Sequence, residues 1–222
     1  ETGVFTLAHE MGHALHSWYS DANQPYIYAG YKIFVAEVAS TCNEALLIHH
    51  LIRTAEGPKQ KAYLINYFLE QFRTTLFRQT MFAEFEKITH GMQEQGEALT
   101  ADRLCGIYHG LNREYFGENI CVDREIGLEW ARIPHFYTPF YVYQYATGFS
   151  AAIALSKRIL EEGETAVEQY KNFLKGGSSA YPLDLLRMAG VDMEQREPVE
   201  DALKVFTQYL DEMERLAGND EI

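Results

Sequence analysis

His9-Glu10-Met11-Gly12-His13 sets two imidazoles four residues apart, with a carboxylate directly after the first. The surrounding Val4 to His16 stretch contains no proline, and its flanks are apolar, small or helix-tolerant, so the pattern predicts a helix. Residues four apart on a helix lie one above the other on one face, so His9 and His13 point at one place, at a spacing that suits Zn²⁺. Glu10 can lean over such an ion without binding it and take a proton from a water there, the general-base part of a metallohydrolase. HExxH is a short pattern that an ordinary helix can also carry. Two details favour a metal: Gly12 costs roughly 1 kcal/mol relative to alanine inside a helix, which implies a close neighbour, and His16 adds a third imidazole to the face.

Zinc needs a third protein ligand. The run from Phe34 to Glu44 (FVAEVASTCNE) predicts a second helix, and Glu37 lies in its apolar part, 24 residues after His13. A carboxylate buried there unpaired is costly, whereas a metal compensates its charge. Glu44, seven residues on, falls on the same face and can accept a hydrogen bond from the free ring nitrogen of a ligating histidine.

A third stretch carries polar aromatic groups. Trp130 to Pro139 holds two prolines and reads as a loop containing His135, after which the chain turns helical through Tyr141, Tyr143 and Tyr145. Tyr141 and Tyr145 share a helix face. Imidazole and phenol donors suit the negative charge that builds on a carbonyl oxygen during peptide hydrolysis. Tyrosines that only pack and hydrogen-bond fit the same residues.

The stretches AHEMGHALH (Ala8 to His16), FVAEVASTCNE (Phe34 to Glu44) and HFYTPFYVYQYATG (His135 to Gly148), in that order, resemble the oligoendopeptidase F group of the thimet-oligopeptidase-like zinc metallopeptidases. Gly176 to Ser179 and Tyr181 to Leu186 are also similar to that group, so the resemblance covers nearly the whole chain. It implies one Zn²⁺ per chain held by His9, His13 and Glu37, with Glu10 as general base and short peptides as substrates in a helical channel. It also implies His135 and Tyr145 as transition-state donors and Tyr141 as a substrate or oxyanion donor, with Tyr137 or Tyr143 as alternatives for those roles.

A net charge of −13 argues against nucleic acid and anionic membrane, which call for basic patches. No apolar run approaches the roughly 18–20 residues of a membrane span. Three cysteines without a disulfide-like spacing read as free thiols in a reducing, cytoplasmic compartment. The resemblance adds that relatives carry a long helical region before the HExxH motif. The expectation is therefore one helical catalytic domain over residues 1–222, the C-terminal part of a longer oligoendopeptidase whose missing N-terminal region forms the opposite cleft wall.

The elements that must position these groups all read as helices, with no trusted period-2 segment. Expected helices run over about 3–19, 31–53, 59–95, 100–116, 140–161, 164–175, 182–189 and 198–216. The stripe Leu64, Phe68, Phe72, Leu76, Phe77, Met81, Phe85 and Ile88 is core. Glu70, Arg73, Arg78, Glu84, Glu86 and Lys87 form a solvated face, as do the acids of 118–129. His49 and His50 are surface or satisfied core residues, and Gly176 to Ser179 is a linker turn. The function read from this is zinc-dependent endopeptidase. A zinc carboxypeptidase of similar fold and a non-catalytic helical binding module are the rivals, and the presence of Glu10 favours catalysis over the latter.

Overall fold

The computed structural model describes residues 2–218. The chain is all-helical, as the absence of alternating segments predicts, and no strand occurs among the described residues. The helices are α1 (Thr2–Asn23), α2 (Tyr26–Ala29), α3 (Ile33–Arg53), α4 (Pro58–Gln71), α5 (Arg78–Glu94), α6 (Ala101–Phe116), α7 (Tyr143–Glu162), α8 (Glu164–Leu174), α9 (Pro182–Met188) and α10 (Glu197–Gly218). A π-helical segment, Phe72–Phe77, joins α4 to α5, and two 3₁₀ segments, Arg124–Arg132 and Pro134–Tyr137, precede α7.

The chain divides into two compact units. One is built from the residues up to Phe72 together with those from Thr147 onward, the other from Arg73–Ala146. In the first, Val35, Val38, Ala39 and Cys42 of α3 pack with Ala151, Ala152 and Leu155 of α7, Phe173 of α8 and Leu185 of α9. Alanines at 151, 152 and 154 let α7 come close, as their small size predicts. In the second unit, Met81, Phe82 and Phe85 of α5 pack with Tyr108 and Leu111 of α6, Ile133 and Val142.

Local signals account for several boundaries. The Thr100 hydroxyl accepts the Arg103 N–H at 3.4 Å and caps α6, with Asp102 in its first turn. Gly117, at φ 74°, ends that helix by donating to the Arg113 carbonyl. Helix α1 runs a turn further than expected, because Asp21 to Asn23 tolerate helix and the chain is stopped only by Pro25. Helix α7 begins at Tyr143 rather than 140, since Phe140 has φ 57°, a left-handed conformation that costs a non-glycine residue about 1–2 kcal/mol.

Three expectations need correction. Glu86 is only 5% exposed, and its carboxylate accepts the Phe140 N–H at 2.6 Å, so it is not part of a solvated face. Glu129 likewise leaves the solvated loop: its side chain is 8% exposed and accepts from Tyr108 Oη at 2.7 Å, Arg78 at 2.6 Å and Arg132. Burial raises its pKa, but those donors outweigh burial and hold it below the usual carboxylate value. The 176–179 turn is also no plain linker. Gly177 has φ 54°, a Cβ there would meet the Tyr28 carbonyl, and Ser178 N–H donates to that carbonyl at 2.8 Å. Gln24 donates to the Lys175 carbonyl at 2.8 Å, so the turn anchors the connection between α1 and α3.

Candidate metal centre

The site begins with a close helix crossing. Helix α1 buries Phe5, Gly12, His16 and Ser20, and a Cβ added at Gly12 would lie 2.5 Å from the Ser40 Cα and 3.1 Å from the Ala39 carbonyl oxygen of α3. Only glycine lets the two backbones approach this far. Asn43 Nδ2 donates to the Ala8 carbonyl at 2.5 Å, one residue before His9, and ties the helices together at the next turn.

This crossing brings His9, His13 and Glu37 into one group, with one potential ligand atom from each within 4.8 Å of the others. The histidines are half-buried, whereas the Glu37 side chain is 47% exposed and not buried as its apolar neighbours suggest. His9 Nε2 lies 3.1 Å from His13 Nε2 and 3.5 Å from Glu37 Oε2. A tetrahedral ion with 2.0–2.1 Å bonds sets its ligand atoms about 3.3–3.4 Å apart. The donor set, two imidazole nitrogens and a carboxylate oxygen with two edges near that spacing, fits zinc.

The tautomer of His9 follows from its other nitrogen. Nδ1 lies 2.7 Å from Glu44 Oε1, so Nδ1 carries the proton and Nε2 presents its lone pair toward His13 and Glu37. Gln71 Nε2 donates to the second oxygen of Glu44 at 3.5 Å. Burial first, then the Glu44 charge, raises the Tyr67 hydroxyl above its usual pKa, so it stays protonated beside this carboxylate. Asn43 and Gln71 were not anticipated from the sequence. Asn43 sits next to Glu44 in a quoted motif, but Gln71 comes from another helix and no spacing marks it.

Glu10 follows His9 on α1 and is exposed. His16, counted on the motif face, lies instead in the core: it is 0% exposed and stacks on Tyr31 at 3.7 Å, with neither ring nitrogen hydrogen-bonded. Burial, and to a smaller extent His13, pushes its pKa down to about 4, so it is neutral. His49 is a core histidine bonded through Nδ1 to Tyr209 Oη at 2.6 Å, and His50 is exposed. The buried Cys42 thiol is pushed up to about 12 by desolvation and is unreactive.

The second unit holds its own cluster. Tyr145 Oη lies 3.4 Å from His135 Nε2 and 3.4 Å from Tyr141 Oη. The His135 and Tyr141 rings are parallel at 5.8 Å, and Tyr145 stands edge-on to both. Three polar aromatic groups thus converge, while Tyr137 is 86% exposed and Tyr143 is 49% exposed.

Comparison with protein families matches residues 2–205 to "Peptidase family M3". Among curated proteins, the chain is 58% identical over 213 residues to the oligopeptidase PepF of Bacillus subtilis, covering 96% of this chain and 32% of that protein. It is 47% identical over 213 residues to the chromosomal oligoendopeptidase F of Lactococcus lactis subsp. cremoris, covering 96% and 35%. Among solved structures, the crystal structure of oligoendopeptidase-F from Enterococcus faecium superposes with a TM-score of 0.89 at 45% identity, over 99% of this chain and 40% of that one. The chain spans about a third of the length of these curated relatives.

Proposed function

The chain belongs to peptidase family M3, and we propose that it is the catalytic part of a longer zinc-dependent endopeptidase that hydrolyses short oligopeptides. The observation that carries this reading is the His9–His13–Glu37 group, with the His9 ring oriented by Glu44. These three residues would hold one Zn²⁺ and leave a position open. A zinc ion in such a site polarises a carbonyl and lowers the pKa of water.

The chain's own groups do the rest. Glu10 accepts a proton from the attacking water and passes it to the leaving amine nitrogen. Glu44 keeps the His9 ring in the tautomer that leaves Nε2 free. His135 and Tyr145 donate to the oxygen on which charge develops, and Tyr141 donates to that oxygen or to substrate backbone.

The rest of the relatives' length would supply the opposite wall of the cleft, so that short peptides are its substrates. Three free cysteines suit a reducing cytoplasm, and no helix among the described residues is long and apolar enough to cross a membrane.

The reading is tested with the complete gene product on an internally quenched peptide blocked at both ends. Cleavage, and its loss by roughly 10²–10⁴-fold in Glu10→Gln with zinc retained, supports it. Cleavage restricted to peptides with a free C-terminus would replace it with the carboxypeptidase reading. An unchanged rate in Glu10→Gln would remove that residue from the mechanism.

A further inference from the structure

Phe140 is the only non-glycine with positive φ among the described residues, at 57°. A bulky side chain occupies that region only when its surroundings hold it there. Here the holder is identifiable. Glu86 Oε1, on α5, lies 2.6 Å from the Phe140 N, a charge-assisted hydrogen bond of the stronger kind. His90, one turn along α5, has Nε2 4.0 Å from the same oxygen, and its ring packs against that of Phe140 at 4.7 Å. Glu86 is 5% exposed in a helix stretch whose other buried residues are Met81, Phe82, Phe85 and Met92. A carboxylate there is costly to bury, and an apolar residue would satisfy packing alone.

The residue after Phe140 is Tyr141. Its carbonyl accepts the Gln144 N–H at 3.2 Å in the turn that leads into α7, and its ring lies parallel to His135 and edge-on to Tyr145. The direction in which Tyr141 leaves the backbone therefore depends on the left-handed turn at Phe140.

We propose that Glu86 is a positioning residue for the His135–Tyr141–Tyr145 cluster, holding the Phe140 N–H so that the turn aims Tyr141 at its two partners. The effect on turnover rests on the reading of that cluster as transition-state donors. Glu86 touches no reacting atom; it acts through the backbone of residues 140 and 141.

The complete gene product is compared with Glu86→Leu, Glu86→Gln and the double variant Glu86→Leu/Phe140→Gly, each assayed for zinc content, kcat and KM. Each is also prepared with 3-fluorotyrosine at position 141 for ¹⁹F NMR. Glu86→Leu should lower kcat about tenfold or more, with KM within about twofold and zinc unchanged, because small misplacements of reacting groups are costly. Glu86→Gln, whose amide oxygen accepts the same N–H, should stay within about threefold of wild type. Adding Phe140→Gly, which adopts the left-handed conformation freely, should restore at least about threefold of the loss. The fluorine signal should shift in Glu86→Leu and hold in Glu86→Gln. Wild-type kcat in Glu86→Leu, or an equal loss in Glu86→Gln with no rescue by glycine, would overturn the proposal, as would an unmoved fluorine signal in Glu86→Leu. A wild-type protein that cleaves no peptide would sink the peptidase reading, and the fluorine signal would still decide whether Glu86 sets Tyr141.

Discussion

Gly12 of α1 and Ser40 of α3 are in backbone contact: a Cβ on residue 12 would fall 2.5 Å from the Ser40 Cα. This contact seats the HExxH helix against the helix that carries Glu37 and Glu44. Gly12→Ala gains helix propensity of about 1 kcal/mol but forces the two helices apart. Overpacking of this kind costs about 1–3 kcal/mol, and the site geometry is lost with it. The variant should show a lower Tm and at least about tenfold weaker zinc binding. A Gly12→Ala protein with wild-type Tm and zinc affinity would show that the crossing tolerates a methyl group.

Glu44 orients His9 through a 2.7 Å bond to Nδ1. Removing such a partner costs roughly 10–100-fold in metal affinity. Glu44→Ala should therefore bind zinc that much more weakly, measured by competition with a chromophoric chelator, and retain the fold by circular dichroism. Wild-type affinity would mean that packing alone orients the His9 ring.

His135 and Tyr145, 3.4 Å apart, belong to the cluster read as transition-state donors. Tyr145→Phe keeps the ring and removes the hydroxyl, and the loss of one such donor costs roughly 10²–10³ in kcat. Zinc content and KM should change little. A loss confined to KM would make Tyr145 a substrate-binding group rather than a transition-state donor.

His49 gives a stability prediction away from the site. Burial among Phe68 and Tyr209 lowers its pKa from 6.5 to about 4. The unfolded chain therefore binds the extra proton between those values, so stability falls as pH drops from 6.5 toward 4 and is unaffected by this group above 6.5. The slope from one histidine is at most about 1.4 kcal/mol per pH unit. Denaturant unfolding of His49→Phe should show a shallower loss of stability across that window than wild type, by about one proton. Parallel curves would mean that His49 is protonated at the same pH in both states.

The convergence of His9, His13 and Glu37 was the most legible part of the sequence, because helix periodicity converts spacing into direction. His9, His13, Glu37 and Glu44 lie on two helices whose faces follow from 3.6 residues per turn, and the cost of Gly12 announced a close neighbour. The aromatic stripe identified the core for the same reason. Glu86, Glu129 and Gln71 were not legible, since their partners (Phe140, Tyr108 and Glu44) come from elements distant in sequence, and a charged residue on a helix reads as solvated until its neighbour is known. The turn at Phe140 was hidden as well: no glycine marks it, and its conformation depends on Glu86. His16 was misread because periodicity places it near the motif face but does not say that Tyr31 covers it.

Whether His9, His13 and Glu37 hold a metal is decided by the zinc content of the chain. Elemental analysis of the complete gene product should find about one zinc per chain, and His13→Ala, left with only two of the three ligands, should lose it. A folded wild-type protein that binds no zinc even when it is added back, or a His13→Ala variant that keeps its zinc, would rule out a zinc site at His9, His13 and Glu37.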